Sequence, residues 1–334
     1  MPMTTLGDLS QSYSMRLRNI SLRQDIDRLT TELASGQVAD VREVLAGNYS
    51  YLSDIEQRSS NLQGYAVATT EASLFAGAVQ NALGAVGQFG ADLSASLLIA
   101  GNSAIGVTGS NTVAEAENAL EGMIGAINTD SAGRYLFSGA ATDQPPLADA
   151  ETLLTAMRTA LAGAATPDDL LADAETWFAD PAGFEATMYQ GSSDAIGPFN
   201  LSQSSKVSLD LRAIDPKLRE VLKLTAVAAL ATDPTFGFTV ESQSELFDKT
   251  GQALMAGQEG VIALRANVGF IEERIDQVAS RNAAEQTALD FAKVDLLKID
   301  PYAAATQLQE AQFQLQSLYS VTVRMSQLSL VNFL

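Results

Sequence analysis

Beyond Met15, apolar residues fall at Leu22, Ile26, Leu29 and Leu33, steps of seven, four, three and four that put them on one stripe of a helix. Ser35-Gly36 ends that helix, and the less periodic stretch 37–48 predicts a loop or broken turn. A second helix starts near Tyr49. It carries Leu52, Ile55, Ser59, Leu62, Ala66, Thr69, Ser73, Ala76, Gln80 and Leu83 at alternating steps of three and four, a heptad seam rich in small residues. Gly84, Gly87 and Gly90 follow, each costing about 0.8–1 kcal/mol relative to alanine in a helix, and predict a bend. A polar loop is expected from Gly101 to Asn111. Thr112 to Asn128 then resumes a helical pattern with Ala116, Leu120, Ile124 and Ile127 on one face, ending in a turn at Thr129 to Gly133.

Between Gly139 and about Glu241 prolines at 145, 146, 167, 181, 198, 216 and 234 punctuate short segments, which reads as an inserted domain. Thr166-Pro167 and Asp215-Pro216 each pair an N-cap residue with proline at the first helical position, predicting two helices there. Thr187 to Tyr189 and Lys206 to Leu211, the latter alternating Val207, Leu209 and Leu211, suit short paired strands with Gly191 to Gly197 between them. From Ser242 to Ile299 the signal is clearest: Val261, Leu264, Val268, Ile271, Ile275 and Val278 step by three and four. At 1.5 Å per residue that helix is roughly 85 Å long. Asp300-Pro301 starts a new helix running to about Ser329, with Leu308, Ala311, Leu315, Leu318, Thr322 and Met325 as its seam. The apolar tail Leu328, Leu330, Val331, Phe333 and Leu334 is one that a soluble monomer normally avoids exposing.

The fold expected is therefore mainly α: an elongated long-helix bundle with paired N- and C-terminal helices and an inserted small α+β domain. By residue, 1–45 is an N-terminal assembly helix pairing with 300–334, 46–140 and 241–299 form the bundle core, and 141–240 is the insert. The bundle seam comprises Leu52, Ile55, Leu62 and the row Val261 to Val278.

Charge and composition narrow the function. Forty acidic residues against twenty basic give a net charge of −20, which repels nucleic acid and anionic lipid. Cysteine and histidine are both absent, which excludes disulfides, thiolate nucleophiles, Cys/His zinc sites and histidine acid–base chemistry. No uninterrupted apolar run reaches the roughly 18–20 residues of a spanning helix; Val221 to Ala231 comes nearest and carries Lys223. No membrane insertion is expected. Met1 to Ser10 lacks the pattern of a removable secretory signal, leaving the cytoplasm or export without cleavage. The glycines at 84, 87 and 90 are followed by no Gly-Lys-Ser/Thr, so they do not make a phosphate loop. Asp168, Asp169, Asp173 and Glu175 lack the alternating ligands and central glycine of a calcium loop and read as a solvated helix face. No cofactor, metal or catalytic constellation is expected. An enzyme housed in the insert is the rival from a different class, and a ligand-dependent stability shift of that segment would reveal it.

Three segments carry a resemblance. Leu29 to Val38 reads LTTELASGQV, a helix running into a Ser-Gly turn; Gly133 to Gly139 reads GRYLFSG; Asp300 to Leu334 holds Leu-Gln-Ser-Leu-Tyr at 315–319 and ends Leu-Ser-Leu-Val-Asn-Phe-Leu. Together they resemble the flagellin superfamily, in its hook-filament junction (hook-associated protein 3) branch, over about the first 140 and last 95 residues. After the Ser-Gly turn the sequence departs from that family, reading Val41-Arg42-Glu43-Val44-Leu45. The resemblance implies a rod-shaped structural subunit, exported uncleaved through a type III channel to the extracellular flagellum. Its implied partners are copies of itself, the first flagellar hook-associated protein, flagellin and a flagellar export chaperone. It also implies that Leu22, Ile26, Leu29, Leu33, Leu308, Leu315, Leu318, Met325, Leu328, Leu330, Phe333 and Leu334 mediate assembly. A filament flagellin or another type III secreted coiled-coil protein shares the same helices and acidity.

Overall fold

The computed structural model describes residues 6–42, 49–102 and 106–331. The fold is mainly α, with long helices packed together and only two-stranded sheets. Two compact units emerge, one of residues 1–62 with 284–334 and one of residues 63–283.

Helix α1 spans Leu6–Ser35, and the left-handed Gly36 (φ 71°) stops it, its N–H still bonded to Glu32 O at 2.8 Å. Helix α2, Ser50–Gly101, is unbroken through Gly84, Gly87 and Gly90, so the expected bend is not a break in the helix. Packing supplies the reason. A Cβ at Gly87 would sit in ordinary contact with Gln258 and Val261 at 3.6–3.7 Å, and one at Gly90 would meet the end of the Gln258 side chain, so a neighbouring helix packs over this stretch and its contacts outweigh the weak helix propensity of the glycines. That neighbour is α8, Val240–Leu297, tied to α2 by Gln80, whose Nε2 donates to Arg265 O at 2.8 Å.

Helix α3, Gly106–Ile127, begins well inside the segment expected to be a polar loop; residues 103–105 lie outside the described set. Gly109 is buried against Phe247, so tertiary packing outweighs its weak helix propensity. A two-residue hairpin follows, β1 (Asp130–Ser131) on β2 (Arg134–Tyr135), with Ala132 and Gly133 both at positive φ as such a turn demands.

Within 141–240 the caps read from sequence are present. Thr166 and Asp169 form a reciprocal capping box at the start of α5 (Pro167–Ala179), and Asp215 Oδ1 accepts from Lys217 N at 2.9 Å to start α7 (Pro216–Ala229). A further helix, α4 (Ala150–Ala160), is capped by Asp149 and buries Leu153, Leu154 and Met157. The expected strand at 187–189 is corrected: a π-helical turn (Pro181–Glu185) runs into the short helix α6 (Ala186–Met188), and Tyr189 makes a lone bridge to Leu147. Lys206–Val207 (β4) pairs instead with Phe199–Asn200 (β3), antiparallel, Phe199 opposite Val207. That hairpin is held by Phe199 against the Phe75 ring (5.7 Å) and by Asn282 Nδ2, which donates to Leu201 O at 2.8 Å.

One buried core runs from Ala72 to Val278 and includes residues 147–231. The apolar run Val221 to Ala231 belongs to it, with Lys223 neutralised by Glu175 and Glu220. Among the described residues one helix, α2, is long and apolar enough to cross a membrane by length and composition. Its Leu83, Val86, Leu93 and Leu97 are buried in this protein core.

Candidate assembly site

Helix α9, Pro301–Val331, starts where the sequence places it: Asp300 Oδ1 accepts from Tyr302 N at 2.9 Å and Ala303 N at 3.2 Å, and Pro301 fills the first position. It packs along α1. On α1, Leu22 and Leu29 are buried while Ile26 and Leu33 are half-buried. On α9, Leu308, Leu315, Leu318 and Met325 are half-buried, while Ala304 and Ala311 are buried. Two small seam residues seven apart, Ala304 and Ala311, are the buried ones, and the larger leucines beside them are only half-buried.

A polar clasp fixes the pair. Arg23 NH2 donates to Tyr319 Oη at 2.7 Å; this bond raises the arginine pKa and, with a second bond from Asn19, holds the Tyr319 phenol below its ordinary value. At the base of the pair the backbone itself is bridged: Val38 N donates to Leu297 O at 2.9 Å and Ile299 N to Gly36 O at 3.2 Å. Glu32, only 4% exposed, closes this corner by accepting from Ala39 N (3.0 Å) and Arg28 NH1 (3.1 Å). Arg23, Asn19, Tyr319 and Glu32 escape an apolar-periodicity reading because they are polar, although Asn19, four after Met15, and the buried Glu32, three after Leu29, sit at the spacing of the stripe itself.

The pairing leaves much apolar surface uncovered. Tyr13, Leu17 and Ile20, at steps of four and three on α1, are exposed, as are Phe313 (70%), Val321 and Val323 on α9. A cavity of about 550 Å³ lies between the two helices, lined by Met15, Leu22, Phe313, Leu318 and Val321. The backbone of Leu328 and Leu330 belongs to α9, but their side chains, and Phe333 and Leu334 entirely, lie outside the described residues.

The bundle-seam residues divide between the two units. Leu52, Ile55 and Leu62 are buried in the first, where Leu52 meets Leu297 beside Val41 and Leu296. Val261, Leu264, Val268, Ile275 and Val278 are buried in the core of the second, with Ile271 half-buried against it.

Residues 252–334, most of α8 and all of α9, match the family model of the bacterial flagellin C-terminal helical region. This segment is flagellin-like. Over 75% of this protein the fold is similar to 99% of a Vibrio parahaemolyticus protein assigned as a flagellar hook-associated protein, with TM-score 0.53 at 15% identity. It is similar also to Bacillus cereus FlgL, with TM-score 0.53 at 14% identity over 72% of this protein and 98% of that one. No curated protein sequence matches significantly.

Proposed function

We propose that this protein is a non-catalytic structural subunit of the bacterial flagellum, joining hook-associated proteins at the hook tip to the flagellin filament. The observation that carries the reading is the flagellin-like segment ending in α9, paired along α1 and still exposing rows of large apolar residues. Such surface is costly in isolation and is covered by association. On this reading residues 1–45 and 300–334 are the assembly helices. Neighbouring copies, the first hook-associated protein and flagellin cover Leu17, Ile20 and Phe313. An export chaperone guards the same ends before secretion by an uncleaved type III route to the cell exterior.

Deleting the gene tests this. A junction subunit leaves completed hooks without filaments and sheds flagellin monomers into the medium. Filaments that stay attached to hooks overturn the junction role, and hooks with flagellin neither attached nor shed point to this protein being the filament subunit itself.

A further inference from the structure

The second unit holds a feature unrelated to the terminal helices. Helices α4 and α5 and the short α6 border a surface groove of about 660 Å³, lined among others by Asp149, Glu151, Thr155, Thr159, Trp177 and Thr187. That volume lies within the range of roughly 300–1,000 Å³ common to small-molecule sites. Trp177 is the single tryptophan of the sequence. It is half-buried, its indole fixed edge-on by Phe178 (5.2 Å, 77°) and Phe184 (6.4 Å, 88°), while Thr155, Thr159 and Thr187 beside it are exposed.

The lining selects among ligands. Neither lysine nor arginine is among the described residues lining the groove, and Arg158 at its edge is already held by Glu151 and Asp233, so phosphate, sulfate or an acidic sugar meets no free counter-charge. A cation gains little: Glu151 already binds Arg158 (3.2 Å) and accepts from Thr155 (3.1 Å), and Asp149 caps α4, where the helix dipole offsets its charge. The hydrogen bond from Thr152 holds the Asp149 carboxyl below its usual range, so it stays an acceptor. A lipid tail would strip water from the threonine hydroxyls without replacing its hydrogen bonds. A neutral polyol meets every condition, donating hydroxyls to the carboxylates and laying an apolar C–H face on a rigid indole. We propose that this groove binds a neutral saccharide, with Trp177 as the stacking platform and Asp149, Glu151 and the threonines as hydroxyl partners.

Because Trp177 is the single tryptophan, its emission reports on the groove alone. The full-length protein is titrated with maltotriose and with N-acetylglucosamine trimer, using spermine and a sulfated disaccharide as controls, and the labelled protein is screened on immobilised neutral glycans. The expected result is a saturable shift with a neutral oligosaccharide, half-complete at about 1 mM or below, the affinity one stacked face and a few hydrogen bonds support. A response to the soluble trimers identifies free oligosaccharide as the ligand, and retention only on the array identifies a polymer-borne glycan; both support the site. Thr155→Arg and Thr159→Arg, exposed substitutions that fill the groove without entering the core, should each weaken binding at least about tenfold with unchanged circular dichroism. No response in either format, a response to spermine or the sulfated sugar alone, or unchanged affinity in the folded arginine variants overturns the proposal.

Discussion

Gly122 and Gly125 lie three residues apart in α3, and only at Gly125 should replacement by alanine raise stability. Both substitutions gain the same helix propensity, about 0.8–1 kcal/mol. At Gly125 a new methyl has nothing within 4 Å, so that gain is kept whole. At Gly122 it would fall 2.7 and 2.8 Å from Phe89 Cε2 and Cε1 and closer still to Cζ. Phe89 is 36% exposed and can swing partly toward water, but displacing it from α3 carries an overpacking cost of about 1–3 kcal/mol. Gly125→Ala should therefore stabilise by about 1 kcal/mol, and Gly122→Ala should range from neutral to about 2 kcal/mol destabilising. Thermal unfolding followed by circular dichroism separates them, since each kcal/mol moves Tm by about 2–4 °C in a unit of this size. Combining Gly122→Ala with Phe89→Leu should recover most of the loss, which a double-mutant cycle measures as coupling. An equal rise in Tm for both single variants would show that the ring does not limit the approach of α2 to α3.

Ile275→Asp, at a position 1% exposed, should unfold the second unit, because an unpaired buried carboxylate costs several kcal/mol against a total of about 5–15; exposed Asp276→Lys should not, and matching melting curves would place the buried face wrongly. Burial alone would raise the Asp233 pKa, but hydrogen bonds from Thr235 and Arg158 outweigh it and leave it lowered. Its stabilisation is thus complete above the unfolded value of about 3.9 and lost as pH falls from there through the lower folded value, so Asp233→Asn should shrink the Tm difference between pH 6 and pH 3; an unchanged difference refutes the pairing. Amide exchange should be far faster at Leu315 to Met325, half-buried on one partner helix, than at Val261 to Val278 in the core, and truncating 317–334 should leave the main melting transition in place; strong protection in α9 of the free monomer would make it ordinary core.

Helix starts were legible at Thr166-Pro167, Asp215-Pro216 and Asp300-Pro301, where a capping residue meets proline, because those signals are local and chemical, while the same signal at Asp180-Pro181 went unread and starts the π-helical turn. The seam of α8 was legible for the same reason: Val261 to Val278 repeats one spacing for five turns. What stayed hidden depends on contacts distant in sequence. Phe199–Asn200 is a strand of two residues that no local pattern marks, and although its partner Val207 lay in a segment read as a strand, its anchor Phe75 is distant in sequence. The alternation at Val207, Leu209 and Leu211 follows burial within a loop more than sheet pairing, since only Lys206 and Val207 join a strand. Gly90 reads as a weak point until the Gln258 amide is seen to occupy the place of its missing Cβ. At the assembly site the stripe on α1 could be read, but the Glu32 corner could not, because a glutamate at the end of a helix is usually solvated and this one is buried next to a backbone bridge from Gly36 and Val38 to residues more than 250 positions away.

The backbone bridge between 36–38 and 297–299 also bears on how freely this region can drift in evolution. Its two bonds run from backbone amides to backbone carbonyls, and the bridge requires nothing of the Gln37 and Lys298 side groups, so their identities are close to neutral. Gly36 is constrained in a different way. A Cβ there would meet nothing within 4 Å, yet φ of 71° would cost any other L residue about 1–2 kcal/mol for the conformation alone. Variation at this corner should accordingly be wide in residue type at 37 and 298 and narrow at 36, where asparagine is the substitute the backbone tolerates best.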